Sequence, residues 1–238
     1  IWNDSLIGQC CSPHIDQWFS QYLNRPLKLL YFGDKSSRKV AKTNNPVAFA
    51  DGYPLLLISQ ASLNDLNKRL KRPVTMGQFR PNLVVNHCNP FEEDEWQHIR
   101  IGEVEFEVTK PCSRCIFTTV DPITGEKHPQ QEPLATLRSY RQVEGGDVMF
   151  GQNLIPLNKG QVKVGDAITV IKPGTAPIFE HKKSTKPVQN TSNLESPKSE
   201  VTMAKDKVNI LFDSWNKSVD GNNHETILEQ GESSGLIL

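Results

Sequence analysis

Lys110-Pro111-Cys112-Ser113-Arg114-Cys115-Ile116-Phe117-Thr118-Thr119-Val120-Asp121-Pro122-Ile123-Thr124-Gly125 is the stretch around which the chain is organised. Two thiols stand beside two cations, Lys110 and Arg114, and a nearby positive charge favours thiolate over thiol. At least one sulfur is a candidate nucleophile or metal ligand. The β-branched and aromatic run from Ile116 predicts a strand headed by the cysteines. It ends in a tight turn at Asp121-Pro122 and Thr124-Gly125.

On spacing alone several readings stay open. A structural zinc site needs four ligands, and Cys10, Cys11 and Cys88 form no second spaced pair. A thioredoxin-type pair opens a helix, whereas a strand is expected here. A disulfide between Cys112 and Cys115 is disfavoured in a reducing cytosol. A buried, inert pair accounts for the spacing as well as any functional reading.

Upstream, Val104-Glu105-Phe106-Glu107-Val108 alternates with period two, and Gly102-Glu103 joins it to Ile99-Arg100-Ile101. This hairpin delivers the chain to Cys112. Phe79-Arg80-Pro81-Asn82 leads into a strand at Leu83-Val84-Val85. Arg80 is placed between an aromatic and a proline, and arginine is the side chain best shaped to clamp a phosphate. Residues 54–58 read as a buried strand; Ser59 caps a helix with Leu63, Leu66 and Leu70 as its stripe. Just before that strand, Gly52, between Asp51 and Tyr53, lets backbone approach a ligand closely. Ser12-Pro13 opens a helix whose packing face is Ile15, Trp18, Phe19, Tyr22 and Leu23. Residues 27–32 are a strand candidate and 33–45 a polar, basic loop. His87 and Cys88 read as packing or surface, and 91–96 as an acidic loop.

Downstream, Pro133 opens a helix with Leu134 and Leu137 inward and Ser139, Tyr140 and Arg141 as surface residues. Phe150-Gly151-Gln152-Asn153 leads into another strand, and 162–171 is the closing strand region, bent at Gly165. Many short strands with few helices indicate a β-barrel with helical insertions. Residues 173–205 are dominated by Pro, Lys, Ser, Thr and Asn and read as a flexible linker. A strand resumes at 208–212, and Asp220-Gly221 is a hairpin signal.

The 238 residues suffice for one sizeable core or two small domains. Basic and acidic residues balance at 27 each, so bulk charge points to neither nucleic acid nor a membrane surface. No apolar run is long enough to span a bilayer. Five cysteines without a regular framework suggest an intracellular, cytoplasmic protein.

The run Cys-Ser-Arg-Cys-Ile-Phe-Thr-Thr-Val-Asp-Pro from Cys112 closely resembles the MOSC domain (molybdenum cofactor sulfurase C-terminal domain). So do Glu132-Pro133-Leu134, Leu137-Arg138-Ser139-Tyr140-Arg141 and Phe150-Gly151-Gln152-Asn153. The branch is similar to the bacterial YcbX-type proteins and the mitochondrial amidoxime-reducing component, over roughly the first three-quarters of the chain. The resemblance implies a mainly β (α+β) fold with a MOSC-type β-barrel over 33–172. Residues 1–32 would end an N-terminal β-barrel domain. After the linker, 206–238 would begin a 2Fe-2S ferredoxin-like β-grasp domain, truncated before its cluster cysteines. The chain would then be an internal fragment.

The same resemblance implies that Cys115 ligates molybdenum and is catalytic. Arg80, Asn82, Ser113, Arg114, Cys115, Asp51, Gly52, Tyr53 and Asn153 would hold the molybdenum cofactor (molybdopterin), and Cys112 would be structural. The implied activity is reduction of N-hydroxylated small molecules by oxygen-atom abstraction. Electrons would come through the fused 2Fe-2S ferredoxin from a reductase or flavoprotein donor. Pyridoxal phosphate binding is a family-level possibility. The rival readings are a non-catalytic cofactor or sulfur carrier and a Cys-x-x-Cys thiol redox domain.

Overall fold

Ser12 and Pro13 start a helix where the sequence places one. This helix, α1, spans Pro13–Tyr22 with the proline in its first turn. Asn24, at φ +49°, ends it ahead of Pro26. Strands β1 (Gln9–Cys10) and β2 (Leu30–Tyr31) flank it and pair antiparallel. The expected packing face is an exposed one: no residue of α1 is buried, and Trp18 and Tyr22 are 54% and 74% exposed. Their rings, one helical turn apart, stack on each other at 5.3 Å.

The structure, a computed structural model, describes residues 1, 4–41, 43–180, 206–209 and 235–237. It falls into two units, Ile1–Pro54 and Leu55–Leu238. The second opens with β3 (Leu55–Ser59), followed directly by helix α2 (Gln60–Arg69). The Ser59 hydroxyl accepts the Ser62 backbone N–H at 3.0 Å, the capping bond expected of it. Leu63 and Leu66 are buried on the inner side of α2. The helix carries the chain over to β4 (Leu83–Val85), which runs parallel to β3. Strands β5 (Trp96–Ile101) and β6 (Val104–Ser113) form the expected hairpin through Gly102, at φ +56°. Helix α3 (Leu134–Arg141) buries Leu134 and Leu137 as expected. Strands β7 (Met149–Pro156), β8 (Gln161–Lys163) and β9 (Ala167–Pro173) follow. The closing region is thus two strands, because Gly165, at φ +91°, turns the chain between them.

Strands β10 (Asp206–Asn209) and β11 (Gly235–Ile237) complete the described elements. A closed barrel runs in the order β10-β4-β3-β7-β6-β5-β9, while β11 pairs with β8. The strand expected at 208–212 is described only to Asn209, where it pairs with β4 and β9. Residues 181–205 of the expected linker and the Asp220-Gly221 turn lie outside the described residues. The start of that linker is tied down: Gly174 N–H donates to the Glu95 carbonyl at 2.6 Å and Glu180 N–H to Gln142 at 2.7 Å. Among the described residues no helix is long and apolar enough to cross a membrane.

Alternation along β3 explains its near-continuous apolar sequence. Leu55 and Leu57 join the barrel interior with Leu83, Ile99, Phe106 and Leu154. Ile58 faces the opposite layer, with Leu63, Leu66, Phe79, Leu137 and Phe150. A strand covered on both sides has no polar face to show. Gly151 sets how closely β7 approaches β3. A Cβ there would lie 2.6 Å from Ile58 Cγ1 and 2.8 Å from the Leu57 carbonyl oxygen, at φ +83°. Gly151→Ala is expected to destabilise the chain by at least about 2 kcal/mol, from overpacking and left-handed strain together. A chemical-denaturation midpoint unchanged from wild type would contradict this.

The acidic stretch read as a loop is a 3-10 turn, Glu92–Glu95, that points two carboxylates inward. Glu93 is 1% exposed; one oxygen accepts Ser59 N–H at 3.0 Å and the Ser62 hydroxyl at 2.7 Å, and the other has no partner. Burial pushes its pKa above the ordinary carboxylate value, against the bonds from Ser62 and Ser59. The folded state therefore holds this proton more tightly than the unfolded chain. Its stabilising contribution is complete at low pH and is lost as pH rises from the unfolded value through the raised one. Glu93→Gln is expected to remove that decline. Unfolding free energies of the two proteins, compared from pH 4 to 8, should diverge with pH in favour of glutamine; parallel curves would refute it.

Arg141 and Tyr140, expected at the surface, are also largely inside. Arg141 is 4% exposed and donates from Nη1 to Asp94 Oδ2 at 2.6 Å and from Nε to the Met149 carbonyl at 3.1 Å. Its guanidinium lies 4.4 Å from the Phe91 ring centroid and 4.0 Å from that of Phe179. Gln152 Nε2 donates to the other Asp94 oxygen at 2.7 Å.

Candidate functional site

Strand β6 ends at Ser113, and the segment expected to be a strand after Cys115 is a 3-10 turn, Ile116–Thr119. Threonine hydroxyls redirect it. The Cys115 carbonyl accepts the Thr118 N–H at 3.2 Å and the Thr118 hydroxyl at 2.9 Å, and the Thr119 hydroxyl donates to the Ile116 carbonyl at 2.7 Å. Local side chain–backbone bonds of this kind outcompete β-propensity. The turn at Asp121 forms as expected: its Oδ1 accepts from Ile123 N at 2.8 Å and Thr124 N at 2.9 Å. Those bonds hold the Asp121 carboxyl below its ordinary value.

The two thiols differ. Cys115 is exposed at the N-cap of the turn, and its sulfur makes no hydrogen bond among the described residues. Cys112 is half-buried on β6, and Arg114 Nη1 donates to its sulfur at 3.0 Å. Cys10, Cys11, Cys112 and Cys115 are in no disulfide.

Arg114 joins the motif to a distant segment. Its Nη2 donates to the Phe79 carbonyl at 2.8 Å, and its guanidinium lies 5.6 Å from the Phe79 ring centroid. Its Nε is buried without a partner. On the far side of Arg80, Asn82 N–H donates to the Leu56 carbonyl at 2.8 Å, and Asn82 Oδ1 accepts Leu56 N–H at 2.9 Å. Arg80 between them is held at φ +54°, the left-handed region that costs a non-glycine residue about 1–2 kcal/mol. Its side chain is exposed, makes no hydrogen bond among the described residues, and lies 5.8 Å from the Phe117 ring centroid. A strained residue fixed from both sides is a candidate functional position.

Asn153 supports the same motif from β7. Its Nδ2 faces the carbonyls of Lys110 and Pro111, each at 3.4 Å, where the β6–β7 ladder is irregular. The Ser113 hydroxyl donates to Asp147 Oδ1 at 3.1 Å. The structure thus connects Arg80 with Cys112 and Cys115 through Arg114 and the Phe117 turn. Asn82 and Asn153 spend much of their bonding capacity on the protein backbone.

Asp51, Gly52 and Tyr53 belong to the first unit. There the Arg38 side chain, 6% exposed, donates to the carbonyls of Ala48, Ala50 and Asp51 and pairs with Asp4 at 2.8 Å. The sequence reading placed Arg38 in a polar loop; nothing local distinguishes it from its basic neighbours. A Cβ on Gly52 would meet no atom within 4 Å.

Among the described residues no group of three His, Cys, Asp or Glu side chains is placed to hold a metal. A metal at Cys115 would have to bring other ligands with it. A pterin dithiolene supplies two, and thiolate suits soft centres. One unbonded exposed thiol, the partnerless buried Arg114 Nε and the unpaired Arg80 guanidinium fit a phosphate-bearing cofactor of that kind.

The chain matches the MOSC domain family over residues 44–169. It is 38% identical to mitochondrial amidoxime-reducing component 1 of Homo sapiens over 179 residues, 69% of this chain and 53% of that one. It is 38% identical to mitochondrial amidoxime reducing component 2 of Homo sapiens over 183 residues, 71% and 54% of the two chains. Component 1 of Danio rerio is 36% identical over 189 residues, 76% and 54%. The chain spans about half the length of the curated relatives it matches. Among solved structures, YiiM from Geobacillus stearothermophilus aligns over 73% of this chain and 72% of that one, with 14% identity and a TM-score of 0.32. The chain belongs to the MOSC domain family.

Proposed function

We propose that the chain is the cofactor-binding part of a molybdenum-dependent reductase acting on N-hydroxylated small molecules. The observation that carries this is Arg80, held in a left-handed conformation with its guanidinium 5.8 Å from the Phe117 ring of the turn that the exposed, unbonded Cys115 begins. The similarity to amidoxime-reducing components supports the substrate class. When bound, the molybdenum cofactor supplies the two-electron chemistry that accepts the oxygen atom. The balance is cleavage of one N–O bond, with two electrons and two protons consumed and one water released.

Cys115 provides the single protein thiolate to the metal. Arg80 clamps the cofactor phosphate, with Asn82 Nδ2 and Arg114 Nε as the adjoining donors. Ser113 and Asn153 hold the cysteine segment in place. The electrons come from a reductase or flavoprotein donor. Four cysteines in no disulfide, Cys10, Cys11, Cys112 and Cys115, suit a reducing compartment such as the cytoplasm.

The test is molybdenum content of the full-length protein after gel filtration. Wild type should retain the metal. Arg80→Ala should lose a charge-assisted contact of about 1.5–3 kcal/mol, and occupancy should fall accordingly. Arg80→Gly should lose as much metal while unfolding at higher denaturant than the alanine variant, because glycine relieves the backbone strain. Metal content equal to wild type in both variants would sink the assignment.

A further inference from the structure

A groove of about 980 Å³ lies between residues 69–75 and the turn over 119–132, entirely within the second unit. Its volume is at the upper end of the roughly 300–1,000 Å³ usual for small-molecule sites. Gln78 stitches its two walls together, donating from Nε2 to the carbonyls of Thr118 at 2.9 Å and Val120 at 3.2 Å. Gln78 is two residues from Arg80. Thr119, also in the wall, ends the 3-10 turn that Cys115 begins. At a 3-10 rise of about 2 Å per residue, the groove starts about 8 Å along the turn from Cys115.

The charges facing this groove differ in what they already hold. Arg69 is paired with Asp65 at 2.9 Å. Of the lining acids, Asp121 accepts two backbone N–H groups and Glu132 accepts Thr136 N–H at 3.0 Å; Glu126 has no side-chain bond among the described residues. Lys71, Arg72 and Lys127 have no ion-pair or hydrogen-bond partner among the described residues. His128 Nδ1 accepts Gln130 N–H at 3.2 Å and Glu132 N–H at 3.4 Å, so its proton sits on Nε2 as a donor. The uncommitted bonding capacity of the groove is therefore mostly donor and cationic.

We propose that this groove binds the anionic end of a small molecule, a carboxylate or phosphate, and that it selects N-hydroxylated substrates bearing such a group. The substrate half of this rests on the reduction proposed above; the anion site does not. Lys71 and Arg72 are the principal contacts, with Lys127 and His128 opposite.

The anion site is tested without turnover, by calorimetric titration of the full chain with terephthalate and with phenyl phosphate at low salt. Both should bind, and Lys71→Glu/Arg72→Glu should weaken binding at least about 10-fold. Lys71→Gln/Arg72→Gln should weaken it in the same sense, and melting curves of both variants establish that they fold. The relative affinities of the two probes say whether carboxylate or phosphate is preferred. In the cofactor-loaded full-length protein, KM for an aromatic amidoxime carrying a para-carboxylate should rise at least about 10-fold in the glutamine variant. KM and kcat for the neutral amidoxime should stay unchanged. Loss of anion binding in the variants with no reduction of either amidoxime would refute the reductase and leave the anion site standing. Absence of binding, or equal binding by wild type and variants, would overturn the site.

Discussion

Under the proposed function, replacing Cys115 by alanine is expected to lower N-reduction by the cofactor-loaded full-length protein at least about 100-fold, the scale on which even supporting residues of metal sites act. Cys112→Ala is expected to retain most of that activity. The difference follows from geometry. Cys115 is exposed at the head of the Ile116–Thr119 turn with its sulfur unbonded, whereas Cys112 is half-buried and serves Arg114 as an acceptor at 3.0 Å. Removing the Cys112 sulfur leaves Arg114 its bond to the Phe79 carbonyl at 2.8 Å, so Arg80 keeps its support. Initial rates and molybdenum content measured together separate loss of the metal from loss of chemistry. Equal loss in both variants would point to a dithiol mechanism.

Asp94→Ala is expected to destabilise the chain by about 3–5 kcal/mol, because it strands a buried cation. Asp94 and Arg141 side chains are 3% and 4% exposed and 2.6 Å apart, and Gln152 completes the carboxylate at 2.7 Å. Arg141 already has one nitrogen, Nη2, without a partner. Removal of the carboxylate leaves its charge facing only aromatic rings and the Met149 carbonyl. Domains are stable by only about 5–15 kcal/mol in total, so the variant should be close to unfolding at physiological temperature. Asp94→Leu/Arg141→Met should recover much of the loss, since neither charge is then buried. A denaturation midpoint for Asp94→Ala within error of wild type would show that water reaches the pair.

Local patterns carried much of the fold. The hairpin through Gly102, the Ser59 cap, the inward leucines of α2 and α3 and the Asp121 turn depend on neighbours within a few residues. What failed to show depends on distant partners. Asp94 is buried because Arg141 and Gln152 lie 47 and 58 residues away, and an acidic run without knowledge of them reads as solvent-facing. Arg38 has the same character in the first unit. Residues 116–119 were misread for the opposite reason: the threonines' local hydroxyl bonds override their β-propensity. At the site, the sequence singled out Cys115 through the motif's resemblance and Arg80 through arginine's chemistry as candidates. That Asn82, Asn153 and Arg114 would hold backbone in place was not, since those contacts span 26 to 43 residues.

The barrel ladders also fix when the site can exist. Leu55 pairs with Leu154, and Phe106 with Pro156, so residues about 100 and about 50 positions apart must meet before the sheet is continuous. Contacts of such long range make folding slow, on the order of milliseconds to seconds. Arg80, Cys115 and Asn153 are brought together by those ladders, by the Asn82–Leu56 bonds and by the Arg114 bridge. On the proposed function, the phosphate clamp would be missing from any partly folded chain, and cofactor would be captured after the sheet has closed. Binding to the native state alone would then raise the temperature of unfolding with free cofactor concentration, as mass action requires.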